Sequence, residues 1–182
     1  MKEEIIGERV VLRKLQTEHI ESLFDAARES FGGEFTRWMP WCHENYSIEE
    51  SEFFIKTCLT NWENGEEYTF AICEPKTGKF IGLVGLNTFN SAHKFYNVGY
   101  WVRVSAQKNG FVSEAAKLLA KAAFEALEIN RLEILVAKDN IPSQKAAEKC
   151  GAVREGILRN RLLIHGISHD AVIYSMVKRD FE

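Results

Sequence analysis

The chain has 182 residues, 46% of them apolar and 27% charged, the make-up of one globular domain spanning residues 1–182. Its formal net charge of −3, with basic residues dispersed along the chain, excludes a general nucleic-acid binder. No apolar run reaches the roughly 18 residues of a membrane span, and two early glutamates in "MKEEIIGERVVLRKL" argue against a secretory leader, so a cytoplasmic protein is expected.

In chain order, "ERVVLRKL" (Glu8 to Leu15) is a β-branched run that reads as a first strand. In "QTEHIESLFDAARES", Thr17 stands where an N-cap belongs, and Ile20, Leu23, Phe24 and Ala27 share one helical face. "FGGEFTRWMPWCHENYS", rich in glycine and aromatics, reads as a loop. Ser47 and Glu50 then have capping-box spacing and open a second helix, "IEESEFFIKTCLTNWENG". "EYTFAICE" places Tyr68, Phe70 and Ile72 on one strand face, and the turn "PKTGK" leads to "FIGLVGLNTF", making a hairpin. "KFYNVGYWVRV" is a further strand.

A long helix follows, from about Gly110 to Leu127, with Glu114, Lys117, Lys121, Glu125 and Glu128 on its wet side. Leu118, Leu119, Ala122, Ala123 and Ala126 fill the remainder, small enough to let it lie close on a sheet. "RLEILVA" is nearly unbroken apolar and predicts a sheet-centre strand covered on both faces. "IPSQKAAEKCGA" is a short helix with Pro142 in its first turn and Gly151 as its stop, and strands around "VREGILRNRLL" and "DAVIYSMV" finish the chain. The order predicts an α/β (α+β) fold: a mixed, mostly antiparallel sheet of about seven strands with helices on both faces. The unit from Tyr100 to Ala137 is the part that can cross over to a parallel strand.

Cys42, Cys58, Cys73 and Cys150 share no C-x-x-C spacing, so they read as buried, reduced thiols, and no metal site is expected. The turn "QKNG" running into the long helix is different. A polar, glycine-containing helix start gathers free amides and the positive end of the helix dipole, which suits an anion. Neither G-x-x-x-x-G-K-[ST] nor G-x-G-x-x-G is present, so a nucleotide triphosphatase or dinucleotide enzyme is not expected.

The run from "VGYWVRV" to "CGAVREG" resembles the acetyl-CoA-binding half of the GNAT superfamily of N-acetyltransferases. It is most similar to the branch of bacterial ribosomal-protein N-terminal acetyltransferases. The resemblance rests on Gly99-Tyr100-Trp101, on Gln107 and Gly110 of a Q-x-x-G-x-[GA] turn, on Asn140 and Ser143 of an N-x-x-S helix start, and on Gly151. "WMPW" (Trp38 to Trp41) and "HGISHDAVIYSM" extend it over nearly the whole chain.

This resemblance implies that Gln107, Lys108, Asn109, Gly110, Phe111 and Val112, with Ser113, wrap the CoA pyrophosphate with backbone amides. It implies that the strand from Trp101 through Val102 to Val104 lends main-chain hydrogen bonds to the pantetheine arm, with an N–H near Val102 as oxyanion donor. Ser143 would assist the leaving sulfur. Asn140 would bond the pantetheine amide or orient a water, a role compatible with an N-cap. Val112 departs from the Gly or Ala usual there; its side chain either crowds the phosphate or points outward.

Two catalytic groups common in such enzymes are missing: Ala147 stands where many carry a general-acid tyrosine, and Asn97 where relatives often carry a glutamate. A further acidic position falls on Leu162. The remaining base candidates are His43, Glu44, His169 and Asp170. An α-amine, with a pKa near ~7.8 against ~10.4 for lysine, has a neutral fraction roughly a few hundred-fold larger at neutral pH and needs no strong base. A protein N-terminus is therefore the first-choice acceptor, held by Trp38, Trp41, His43 and Tyr46 in a region where Trp62 adds to the aromatic content. A small amine (amino acid, polyamine or antibiotic) is the alternative, and a non-catalytic CoA sensor the competitor from another class. No nucleic-acid or membrane partner is expected, and a homodimer stays open.

Overall fold

The computed structural model describes residues 1–181. One eight-stranded sheet organises the chain in the order β1-β2-β3-β4-β5-β6-β8-β7. Its strands are β1 (Glu4–Ile6), β2 (Val11–Lys14), β3 (Tyr68–Cys73), β4 (Phe80–Asn90), β5 (Phe95–Val102), β6 (Arg131–Ala137), β7 (Val153–Ile164) and β8 (Ile167–Met176). Helices α1 (Ile20–Ser30), α2 (Gly33–Trp38) and α3 (Ile48–Glu63) precede β3, α4 (Phe111–Ala126) joins β5 to β6, and α5 (Ile141–Lys149) follows β6. All pairings are antiparallel except β5 with β6, where the α4 crossover makes the strands parallel, as the sequence predicts.

Side-chain alternation divides the sheet into two faces. Phe70, Ile72, Val84, Leu86, Tyr96, Val98, Leu132 and Ile134 form a core with α4, whose Ala115, Ala116, Ala120 and Ala123 are fully buried and let the helix approach closely. Ala71, Cys73, Phe80 and Leu83 face the other way, against Leu23 and Ala26 of α1 and Ile55 and Cys58 of α3. All four cysteines are buried. No helix among the described residues is long and apolar enough to cross a membrane.

The structure departs from the sequence expectation at particular places. An eighth strand, β1, pairs Ile5 with Leu12; three residues are too few to show a period. Thr17 is not the cap of the first helix: residues Thr17–His19 form a 3₁₀ turn that begins at Gln16, whose N–H donates to His19 Nδ1 at 3.0 Å. The glycine- and aromatic-rich loop contains α2, set off by Gly32 at φ +110° and by the Gly32 N–H donating to Thr36 Oγ1 at 2.6 Å. The Ser47 capping box is present, with the Ser47 N–H on Glu50 Oε2 at 2.9 Å. Ala126 is exposed at the end of α4. Strand β6 is unequally covered: Leu132, Ile134 and Val136 are buried in the α4 core, the alternate positions Arg131, Glu133 and Leu135 are only half-buried, and the strand's end from Ile134 to Ala137 lines a cavity.

Gly82 sets the spacing of the two central strands. A Cβ there would lie 2.1 Å from the Trp101 carbonyl oxygen and 2.7 Å from Val102 Cα, backbone atoms that cannot swing aside. Gly82→Ala is expected to lower Tm by about 5–10 °C in thermal unfolding. Gly85→Ala should cost less, because its Cβ would meet Thr69 at 3.2 Å, in part a side chain.

Candidate active site

Strands β5 and β6 pair only at Phe95–Arg131, Tyr96–Leu132 and Asn97–Glu133, and beyond Asn97 they separate. The β4–β5 register runs unbroken from Asn87–Asn97 to Gly82–Val102, and the Arg103 N–H bonds Ile81 O at 2.8 Å. Antiparallel alternation then turns the backbone groups of Asn97, Gly99 and Trp101 toward β4, and those of Val98, Tyr100 and Val102 toward the gap. The Lys94 carbonyl, two residues before Tyr96 and in phase with it, accepts from Asn130 just ahead of β6, consistent with this phase. The gap is thus a wedge edged by main-chain donors and acceptors, able to take an extended chain as a strand would.

In the stretch from Trp101 to Val104, expected to lend main-chain hydrogen bonds, part of the main chain is already engaged. The Trp101 amide belongs to the β4 ladder, and the Val104 N–H donates to Ser30 Oγ at 3.2 Å. Within that stretch, Val102 alone presents its amide to the wedge. The Trp101 ring points to the opposite face, 5.1 Å from Trp41 and 5.7 Å from Phe35 between centroids.

Past β5 the chain makes the turn into α4. Lys108 and Gly110 have φ of +63° and +75°, so successive amides converge on one side. None of the N–H groups from Lys108 to Ser113 donates to another described residue; the first helical donor is Glu114, to Gly110 O at 3.2 Å. Asn109 folds back instead, its Nδ2 on the carbonyls of Ala106 (3.3 Å) and Gln107 (3.1 Å). Val112 packs its side chain against the core, which leaves the turn uncrowded. The Ser113 hydroxyl donates to Ala146 O at 3.2 Å, tying the start of α4 to α5.

The sequence gives little sign that Arg9 serves this turn. Its Nη1 donates to Asn109 O (2.8 Å), its Nε to Glu114 Oε2 (3.0 Å), its N–H to Glu114 Oε1 (2.8 Å), and its guanidinium stands 5.9 Å from the Phe111 ring centre. Burial alone would raise the Glu114 pKa, and the Arg9 backbone and guanidinium donors pull it below the ordinary value.

At the wedge's far wall, Asn140 caps α5 by accepting the Ser143 N–H at 3.2 Å. Ser143 Oγ donates to Tyr100 Oη at 3.3 Å, and Tyr100 Oη donates to the Ser143 carbonyl at 3.1 Å. Burial drives the Tyr100 hydroxyl well above the usual tyrosine range, so it stays protonated. Ala147 is wholly buried, and the phenol beside Ser143 comes from the strand instead.

A cavity of about 930 Å³ extends from Asn140, Ser143 and Tyr100 through the wedge to the face of α1–α3. Trp38, Trp41, His43 and Tyr46 all line it, together with Leu162, Asn97 and the unforeseen Glu49, Glu50, Glu67 and Asn87. His43 Nε2 is 3.0 Å from Glu50 Oε1, and Ser51 Oγ donates to Tyr46 Oη at 3.0 Å. Trp38 lies 6.1 Å from the His169 ring and under Arg37 at 4.6 Å. Several sequence candidates fall outside the cavity lining. Trp62 packs on Tyr68 and Phe70, the Asp170 carboxylate accepts the Asn160 N–H at 3.0 Å, and Glu44 and His169 do not line the cavity.

A family model described as an acetyltransferase (GNAT) domain matches residues 9–153. A Bacillus subtilis (strain 168) protein provisionally assigned as a ribosomal N-acetyltransferase is 27% identical over an alignment 183 positions long that covers 97% of this chain and 96% of that protein. Among solved structures, a Vibrio cholerae protein provisionally described as a ribosomal-protein-serine acetyltransferase is 32% identical with a TM-score of 0.81, covering 97% of this chain and 99% of that one. The Microcin C7 self immunity acetyltransferase, solved with acetyl-CoA and AMP, is 26% identical with a TM-score of 0.85, covering 94% and 93%.

Proposed function

The chain belongs to the GNAT acetyltransferase family, and from that premise we propose that it acetylates the α-amine of a protein N-terminus, a ribosomal protein being the first candidate, by direct attack in a cytoplasmic ternary complex. Acetyl-CoA supplies the acetyl group as a thioester. The observation that carries the reading is the wedge between β5 and β6, which leads from the α5 start to an aromatic acceptor cavity. In this reading, amides from Lys108 to Ser113 hold the pyrophosphate and Val98, Tyr100 and Val102 hold the pantetheine chain. The Val102 N–H is the candidate oxyanion donor, and Ser143, backed by the Tyr100 hydroxyl, assists the departing sulfur. The names of the Bacillus and Vibrio relatives favour a ribosomal-protein acceptor.

A second reading, a small amine bearing an aromatic or nucleotide-like group, has its own support. Trp41 and Tyr46 meet edge to face in the cavity lining, and the Microcin C7 relative was solved with AMP. Thiol release from acetyl-CoA separates these readings across α-amine peptides, N-blocked lysine peptides, amino acids, polyamines, aminoglycosides and aminoacyl nucleotides. The α-amine peptides are expected to turn over fastest at neutral pH. Equal rates on lysine peptides would remove the N-terminal preference, and carrier binding with no thiol release from any amine would identify a sensor.

A further inference from the structure

We propose that the acceptor amine is bound by a row of three side chains, Glu67, Asn87 and Asn97, and that Glu67 takes the proton from the incoming ammonium. The proposal rests on the acetyltransferase reading above and supplies a proton acceptor where Asn97 replaces the usual glutamate.

The row follows from strand register. Tyr68 pairs with Leu86, so the residue before it, Glu67, stands across from Asn87, and Asn87 pairs with Asn97. Residues directly opposed across strands share a face. Glu67, Asn87 and Asn97 are in phase with Ala71, Leu83 and Trp101, which pack toward α1 and α3, and all three line the cavity. Between the two rows lies a third, Thr69, Gly85 and Gly99, in which two residues have no side chain. The result is a hollow with a glycine floor, one wall of amide and carboxylate, and one wall of Leu83 and Trp101. That shape and polarity suit a primary ammonium on an apolar stem.

One atom points to the ligand. Asn97 Nδ2 donates to Asn87 Oδ1 at 2.9 Å, yet Asn97 Oδ1 is buried with no partner among the described residues. An orphaned buried acceptor costs about 1–3 kcal/mol, a penalty removed when a donor arrives. An ammonium brings three donors. Glu67 is held at its Oε2 by Asn61 Nδ2 at 2.9 Å, and its other oxygen has no partner among the described residues. Asn97 Oδ1 would therefore accept one N–H and Glu67 another, directly or through one water.

Protons and bonds balance as follows. Glu67 takes one ammonium proton and passes it to solvent. The freed lone pair forms the N–C bond at the acetyl carbonyl carbon, the C–S bond breaks, and a second nitrogen proton reaches the thiolate through the Ser143 hydroxyl. The titratable groups sharing the cavity are Glu49, Glu50 and Cys58 of α3, His43 and Tyr46 ahead of it, and Tyr100 on β5.

The test compares wild type, Glu67→Gln, Glu50→Gln and Asn97→Ala on an α-amine peptide and an N-blocked lysine peptide, with kcat and KM followed from about pH 6 to 9 and CoA affinity measured by calorimetry. Glu67→Gln should lose about 10-fold in kcat on the α-amine peptide at neutral pH with CoA affinity kept, its rate then climbing with the free-amine fraction. Its loss should be larger on lysine than on the α-amine, because less lysine is neutral. Asn97→Ala should raise the amine KM more than it lowers kcat. A Glu67→Gln enzyme within threefold of wild type and with the same pH profile overturns the proposal, as does transfer of the whole effect to Glu50→Gln. Both outcomes leave the acetyltransferase reading standing; a wild type that binds CoA and acetylates no amine overturns both.

Discussion

Gly110→Ala should weaken CoA binding by tenfold or more. Gly110 holds φ +75°, a conformation that costs an L-residue about 1–2 kcal/mol. A Cβ there would also stand 2.9 Å from Arg9 Nη2, and the Arg9 guanidinium fixes the turn through Asn109 O at 2.8 Å. The added methyl therefore strains the turn and dislodges its brace together. At about 1.4 kcal/mol per tenfold, the backbone term alone approaches a factor of ten. Calorimetric titration of CoA reads the affinity, and Tm should fall by only a few degrees. Arg9→Ala in the same background removes the steric part, so the double variant should lose less than the two single losses combined. Full additivity would show that Arg9 and Gly110 act independently.

Arg103→Met is expected to be the most destabilising single change, by about 2–4 kcal/mol, with Tm lower by roughly 5–12 °C. Arg103 is 8% exposed at the end of β5. Its guanidinium pairs with Asp25 at 2.7 Å and with Glu29, whose Oε2 accepts from Nε at 2.6 Å. Burial by itself would raise the Glu29 pKa, but the Arg103 hydrogen bonds and the Ser105 amide (2.9 Å) overcome it and hold the carboxyl at about 2. A carboxylate depressed from the ordinary 4.5 contributes stability that is complete above that value and is lost as pH falls toward 2. The stability gap between wild type and Arg103→Met should accordingly be full near neutrality and close between about pH 4.5 and 2. Denaturant melts across that window measure it; a constant gap would assign the loss to packing instead of charge. Because Glu29 and Ser30 of α1 also receive the Ser105 and Val104 amides, the variant should bind CoA more weakly too.

Periodicity made most of the fold legible. The β3–β4 hairpin, the amphipathic α4 and the parallel crossover follow from alternation, from the spacing of alanines and charges, and from chain order. The misses have local causes. β1 is three residues long, α2 hides in a glycine-rich loop, and the apolar "RLEILVA" run says nothing of the cavity that its end lines. The turn into α4 was legible because backbone direction is encoded locally by Gly110 and the residues beside it. The cavity was legible only in part: Trp38, Trp41, His43 and Tyr46 line it, but the Glu67–Asn87–Asn97 row exists only once three strands are in register. The same holds for Arg9, a hundred residues from the carbonyl it holds, and for Tyr100, whose hydroxyl meets Ser143 across the wedge.

The β5–β6 ladder stops at Asn97, and in the proposed reading the carrier completes it as a further strand would. A carrier bound only by the folded chain then adds its binding free energy to stability. Melting temperature should rise with the logarithm of CoA concentration, and a hundredfold excess over Kd adds about 2.7 kcal/mol. Protease resistance should rise in parallel, so a cell depleted of the carrier would hold less of this enzyme as well as a less active one.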